Sequence, residues 1–431
     1  MGKVISKIFS SKEIQSKMLF TIVILMVYRF GSAIPVPFID ANFVEMAVKR
    51  TGSFLGYLDV MSGGGLSHAT LFAMSITPYI NASIIIQLLG VVIPSFEKLQ
   101  KEGEYGRKKL LKMTRYLTIF LAILQGVFFY ALTYSSGGLQ YKEGFQGFFA
   151  AVVIVVSLTT GTALIVWLGE RVSEKGLGNG ISIILFAGII SRAPAASQSI
   201  GSMIQRGTQG QYKYLTYAFL VVATFIFMLV LVVLMHLAER RIPIQYAKRV
   251  VGRRMYAGQS AHIPIKLSMS GVMPVIFANS LLMVPGMIGG FLRLEPGDFW
   301  YGFFSIFQVN SWQYAVMYFI LILLFNFFYV SMQYNPIEIA NNLIKSNGSI
   351  PGIRSGKPTS TFVSKILFRM ATVGALVIAF IAIFPIVFTN LTGENLALAG
   401  TSLLIVVGVA LETVRVIQSQ ITMQKHKGFL E

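Results

Sequence analysis

Long apolar runs, separated by short polar stretches rich in Lys and Arg, set the pattern of this chain. A helix crosses the hydrocarbon of a bilayer with about 20 mainly apolar residues. Ten runs meet that length, near 18–37, 70–92, 113–134, 148–168, 179–200, 216–236, 272–292, 313–332, 366–389 and 397–416. The pattern therefore predicts an all-α membrane protein with ten transmembrane helices. The first run follows Lys3, Lys7, Lys12 and Lys17, as the basic start of a signal peptide would. It is long, however, and shows no small-residue cleavage pattern before Pro35 and Pro37, so it reads as a retained anchor.

Composition agrees with the pattern. Of 431 residues, 55% are hydrophobic and 12% charged, whereas soluble domains carry about 25% charged residues. Without Cys there is neither a disulfide framework nor thiolate chemistry. Lys and Arg total 36 against 17 Asp and Glu, a formal charge of +19 whose distribution decides its meaning. With both termini in the cytoplasm, inner segments hold 28 of these cations, outer loops 7, and Arg29 lies within the first span. Lys and Arg resist translocation, so this fourfold bias fixes the orientation and accounts for most of the basic loops.

Two short motifs recur. Pro78-Tyr79-Ile80-Asn81-Ala82-Ser83 in span 2 matches Pro274-Val275-Ile276-Phe277-Ala278-Asn279 in span 7 as P-x-I-x-A. Gly180-Ile181-Ser182-Ile183-Ile184-Leu185 in span 5 resembles Gly400-Thr401-Ser402-Leu403-Leu404-Ile405 in span 10. Each match is weak alone, but both pair a span with the one five later, which enters the membrane from the opposite side. That is the signature of two inverted-repeat halves of five spans, with the functional path between them. The halves are 1–200 and 216–431, joined by an external hinge loop at 201–215. Pro78 and Pro274 each remove a backbone donor and are expected to bend or interrupt spans 2 and 7.

Between spans 1 and 2, residues 54–66 are apolar enough to leave water yet too short and Gly-rich to cross. They are either a re-entrant segment folded back into the protein or an amphipathic loop on its surface. Span interiors hold no Asp or Glu away from their ends, which argues against a proton or ion relay. The four His form no H-E-x-x-H pair, disfavouring a zinc hydrolase. The stretch 352–359 is one residue short of a phosphate loop and has Pro358 after Lys357. Gly176-Leu177-Gly178-Asn179-Gly180 misses the dinucleotide spacing and reads as a tight turn entering span 5. No cofactor or metal is expected, and any energy source lies on a partner. Inverted repeats and broken helices also belong to secondary solute transporters, which remain the alternative; an intramembrane hydrolase is disfavoured by the absent motifs.

The strings ITPYINASIIIQLL (76–89), EKGLGNGISI (174–183), ERRIPIQYAKR (239–249), IPGIR (350–354) and GTSLLIVV (400–407) together resemble the bacterial SecY family, the channel subunit of the general protein-translocation complex. The likeness runs in order over nearly the whole chain. One departure is Ser355, where the family usually has Pro after the Arg.

The resemblance implies a protein-conducting channel in the bacterial cell membrane, hinged between spans 5 and 6 and opening laterally between spans 2 and 7. Unfolded secretory polypeptides pass through it, while signal sequences and membrane anchors leave sideways into lipid. It implies a pore ring of Ile76, Ile80, Ile181, Leu185, Ile276 and Ile405. Branched apolar side chains at a narrow waist exclude ions by dewetting and yield around any passing sequence. Residues 54–68, with Phe54, Leu58, Met61, Ser62, Gly63, Gly64, Gly65 and Leu66, correspond to the family's plug. Asn81, Gln125 and Asn279 are candidates for a polar seam at the lateral gate, held by interhelical bonds worth about 0.6–2 kcal/mol each. Arg240, Arg241, Lys248, Arg249, Arg253, Arg254, Arg354 and Lys357 lie on cytoplasmic loops that in the family dock the ATPase SecA and the ribosome, the latter partly through ribosomal RNA. Small membrane subunits, SecE and SecG, are the further implied partners.

Overall fold

The structure, a computed structural model, describes residues 11–50, 59–246, 249–251, 254–256, 260–292, 299–308, 311–392 and 400–427. Phe54, Leu58, Lys248 and Arg253 lie outside these residues. Helices dominate: α1 (Lys12–Gly31), α2 (Ala41–Arg50), α3 (Thr77–Val92), α4 (Pro94–Lys101), α5 (Glu104–Ser136), α6 (Gly144–Lys175), α7 (Gly180–Ile190), α8 (Ala193–Thr208) and α9 (Tyr212–Leu237). After a β ribbon come α10 (Met273–Leu292), α11 (Tyr301–Ser305), α12 (Trp312–Gln333), α13 (Pro336–Lys345), α14 (Lys357–Thr392) and α15 (Thr401–Lys427). Among the described residues, eight helices are long and apolar enough to cross a membrane, with α7 and α8 counted together and α12 with α13. The bent pair α3 and α4 makes a ninth. The α10 region supplies a shorter apolar helix, so each of the ten expected spans has a helical counterpart and the protein is a multi-pass membrane protein.

Spans 2 and 7 differ from expectation in an informative way. Residues 70–76 are not helical: Ser75 has φ 51° and Thr77 N–H bonds Met74 O in a turn, so α3 starts only at Thr77. Sixteen residues rise about 24 Å at 1.5 Å each, less than the roughly 30 Å of hydrocarbon. A turn of 103° at Ile93 then leads into α4. Pro78 and Pro274 are therefore not kinks inside helices. Each is the second residue of its helix, where the missing N–H has no partner to lose and the fixed φ suits the first turn. Among the described residues, Pro285 in α10 and Pro385 in α14 stand inside helices.

The segment expected as a plain cytoplasmic loop at 237–271 folds into strands. β1 (Glu239–Tyr246) pairs antiparallel with β4 (Ser260–Lys266), and short β2 (Arg249–Val251) pairs with β3 (Arg254–Tyr256). A two-residue β5 (Gly348–Ser349) adds to the other edge of β1. The signal was present as two copies of Ile-Pro-Ile, 242–244 and 263–265. Alternation points Ile242, Ile244 and Ile265 into an apolar cluster with Val363 and Leu367 of α14.

The chain divides into two compact units: residues 1–219 with 282–311 and 405–431, and residues 220–281 with 312–404. In the first, α5 packs on both α3 and α6, and α6 on α1 and α7. Its buried core includes Leu66, Met74, Phe129, Ile154 and Leu158. In the second, α12 and α13 pack along α14.

Candidate functional site

The six candidate ring residues share one local feature: each caps a helix or lies within its first two turns. Ile76 is the residue before α3 and is fully buried, and Ile80 is half-buried one turn on. Ile181 and Leu185 are the second and sixth residues of α7, with Leu185 buried. Ile276 lies in the first turn of α10 and Ile405 is the fifth residue of α15, both buried. The two repeated motifs thus begin a helix at each of their four occurrences. Their small positions agree too, since Ala82 and Ala278 are both completely buried. Five of the six residues belong to the first unit and Ile276 to the second.

Backbone hydrogen bonding explains how α7 holds its two ring candidates. The Gly-rich turn before it is pinned at three points. Leu177 N–H donates to Thr21 Oγ1 of α1 at 3.2 Å, and Gly180 N–H to Ser173 Oγ at 2.9 Å. Asn179 caps the helix, its Oδ1 accepting from Ile181 N–H at 3.2 Å and Ser182 N–H at 3.5 Å. Gly178 adopts φ +65°, which glycine tolerates. Gly180 approaches α6 so closely that a Cβ there would sit 2.0 Å from Gly169 O.

Before α3 lies the segment Asp59–Ile76, buried yet almost without regular structure. Of the two sequence-level possibilities this is the re-entrant one: Met61, Ser62, Gly64, Gly65 and Leu66 are buried and Gly63 half-buried. Such backbone survives at membrane depth only when the protein satisfies its polar groups. Here it does so internally. Gly64 N–H bonds Asp59 O at 2.8 Å, Leu66 N–H bonds Ser62 Oγ at 3.1 Å, and Ser67 N–H bonds Asp59 Oδ1 at 2.7 Å. Ser75 Oγ also bonds Met61 O at 3.2 Å within the segment, and Ser191 Oγ, just beyond α7, bonds Gly63 O at 3.2 Å from outside it. Gly63 meets Gly188 of α7 backbone to backbone, since a Cβ on Gly63 would lie 2.8 Å from Gly188 O.

The gate candidates are half-buried or buried, with different satisfaction. Asn81 on α3 has a buried Oδ1 with no hydrogen-bond partner among the described residues. Gln125 is half-buried on α5, which packs against α3. Asn279 is buried on α10 and accepts from Tyr314 Oη of α12 at 3.3 Å. Tyr314 was not singled out in the sequence.

Of the docking candidates, Arg240 and Arg241 are exposed on β1, and Arg241 pairs with Glu239 at 2.7 Å. Arg249 and Arg254 fall on β2 and β3. Arg354 is exposed in the turn before α14, and its carbonyl accepts Thr359 Oγ1–H at 2.8 Å, which fixes the turn. Lys357 is the exposed first residue of α14.

Comparison with known proteins gives a consistent result. A family model described as SecY matches residues 70–414. Protein translocase subunit SecY of Streptomyces galbus is 40% identical over 447 residues, covering 99% of each chain. A solved structure described as a protein conducting channel superposes with TM-score 0.63 at 19% identity, covering 96% of this chain and 93% of that one. Sec61 in the canine ribosome-channel complex from the endoplasmic reticulum gives TM-score 0.60 at 19% identity, with the same coverage. At these identities the two structural matches speak to the fold.

Proposed function

The chain belongs to the SecY family, and from that premise we infer that it is a protein-conducting channel rather than an enzyme. It passes unfolded secretory polypeptides across the membrane and releases signal sequences and transmembrane segments sideways into lipid. Solute transport, the alternative drawn from inverted repeats alone, is not what relatives of this kind are named for.

One observation carries the reading at residue level. Both repeated motifs start helices, which supports equivalent roles for Ile80 and Ile276, and for Leu185 and Ile405, in halves 1–200 and 216–431. The link 201–215, expected as a loop, is the end of α8, a short turn and the start of α9. Those residues, with Ile76 and Ile181, form the apolar waist. The buried segment from Asp59, with Phe54 and Leu58 ahead of it, is the plug that closes the outer side. Asn81, Gln125 and Asn279 lie along the lateral gate, with Tyr314 holding Asn279 through one exchangeable hydrogen bond. Such bonds are weak enough, at about 0.6–2 kcal/mol, to be traded for a hydrophobic signal helix.

The home of the channel is the bacterial cell membrane, with both termini in the cytoplasm. SecE and SecG accompany it there. SecA and the translating ribosome dock on Arg240, Arg241, Lys248, Arg249, Arg253, Arg254, Arg354 and Lys357. The match to a ribosome-bound Sec61 supports the ribosome as a partner, and an Arg-rich surface suits contacts to ribosomal RNA phosphates. A stalled secretory chain should crosslink to Cys introduced at Ile80, Ile276 and Ile405, but not to Cys at Phe120, which is exposed on α5. Equal labelling at Phe120, or none at the three Ile positions, overturns the waist.

A further inference from the structure

An acid buried in an apolar membrane protein needs a reason. Asp59 is 2% exposed and uses both carboxylate oxygens. Oδ1 accepts Ser67 N–H and closes the turn of the buried segment. Oδ2 takes the guanidinium of Arg192, which stands in the break between α7 and α8. The carboxylates of the other ion pairs described are at least 20% exposed. Asp59 therefore belongs to the segment and Arg192 to the wall on which it rests.

We propose that Asp59 and Arg192 form an ionic latch that holds the buried segment closed and so sets how strong a signal sequence must be to open the channel. The proposal rests on the channel reading above. The other ties from the segment to its surroundings are neutral, among them the Ser191 hydroxyl on Gly63 O, the backbone contact of Gly63 with Gly188, and the backbone bonds of Leu71 N–H to Ile34 O and of Val36 N–H to Ala69 O. Neutral hydrogen bonds exchange readily for others, whereas parting this pair strands a buried carboxylate. Gly63, with positive φ, lets the backbone seat against Gly188 of α7 without a side chain to withdraw, and Gly64, also with positive φ, turns the chain next to it. Residues 59–66 can then lift from α7 once the pair parts, while the backbone bonds of Ala69 and Leu71 keep the rest of the segment in place.

The test uses the full chain with its partner subunits in membrane vesicles, measuring idle ion flux and export of a reporter whose signal has a shortened apolar core. Arg192→Gln is expected to raise both on the order of tenfold, because it leaves the carboxylate unpaired. Asp59→Asn is expected to do less, since Asn still accepts Ser67 N–H and the partly exposed guanidinium reaches water. The double variant should resemble Asp59→Asn rather than the product of both, and Arg192→Lys should restore most of the seal. Wild-type flux and selectivity in Arg192→Gln, or multiplying effects in the double variant, overturn the latch. Should Arg192→Gln fail to accumulate, unchanged flux and selectivity in Asp59→Asn overturn it equally. A wild-type chain that passes no secretory polypeptide overturns the channel reading instead, and the latch with it.

Discussion

Asn326 donates from Nδ2 to the backbone carbonyl of Ala371, 3.0 Å away, and so joins α12 to α14 in the middle of an apolar interface. Its Oδ1 meanwhile accepts from Ser270 Oγ. Both side chains are buried, so each end of the amide is used. Replacing Asn326 with Ala strands the Ser270 hydroxyl and is expected to cost about 1–3 kcal/mol. Ser270→Ala should add little on top, because it removes the same bond. Thermal unfolding of the single and double variants in detergent checks this; unchanged unfolding of Asn326→Ala would show that the amide is an idle passenger.

Gly180 brings the start of α7 against the backbone of α6. A methyl group there would collide with Gly169 O at 2.0 Å, and backbone cannot yield as a side chain does. Gly180→Ala is expected to push the start of α7 outward at a cost of about 1–3 kcal/mol. Because Ile181 and Leu185 follow immediately, the variant should leak ions when idle even where enough of it accumulates. A sealed, fully stable Gly180→Ala channel would mean that α7 does not hold the ring.

The ten spans were legible because bilayer crossing demands long apolar runs, and nothing else in such a chain produces them. The repeat was legible because P-x-I-x-A and the Gly-x-Ser string mark helix starts, where residue identity is constrained by capping. The β ribbon was missed because two Ile-Pro-Ile triplets 21 positions apart read locally as loop, and only pairing makes Ile242 and Ile263 neighbours. Pro78 was misplaced for a related reason. Hydropathy cannot tell helix from buried turn at residues 70–76, and both are apolar. Asp59 and Arg192 are 133 residues apart, so no local pattern announces their pairing. Asn279 was visible as a lone amide in an apolar run, but its partner Tyr314 was not.

Ile405 is 2% exposed in the second turn of α15. Ile405→Asn places an amide at a buried position, whereas an open, water-filled waist would solvate it. An unpaired buried amide costs about 1–3 kcal/mol, which corresponds to about a 5- to 150-fold shift toward the open state. Idle ion flux should rise and poorly hydrophobic signal sequences should be accepted. Flux and selectivity equal to wild type would remove Ile405 from the ring.

Arg354 is exposed, and Thr359 Oγ1–H on its carbonyl holds the turn that presents it. A preorganised cation is suited to docking, because little of the binding energy goes into ordering the loop. Like charges juxtaposed across an interface cost several kcal/mol, so Arg354→Glu should slow ATP-driven export at least about tenfold while the chain itself still inserts into the membrane. Lys357→Glu makes the same change of charge three residues away on another exposed side chain. If docking reads the shape of this turn, Lys357→Glu loses much less than Arg354→Glu, and Thr359→Ala, which frees the turn but keeps the charge, falls between wild type and Arg354→Glu. If docking reads only net charge, the two Glu variants lose equally and Thr359→Ala exports normally. Export at the wild-type rate by Arg354→Glu, with the variant present in the membrane at normal levels, would remove the docking role from this residue.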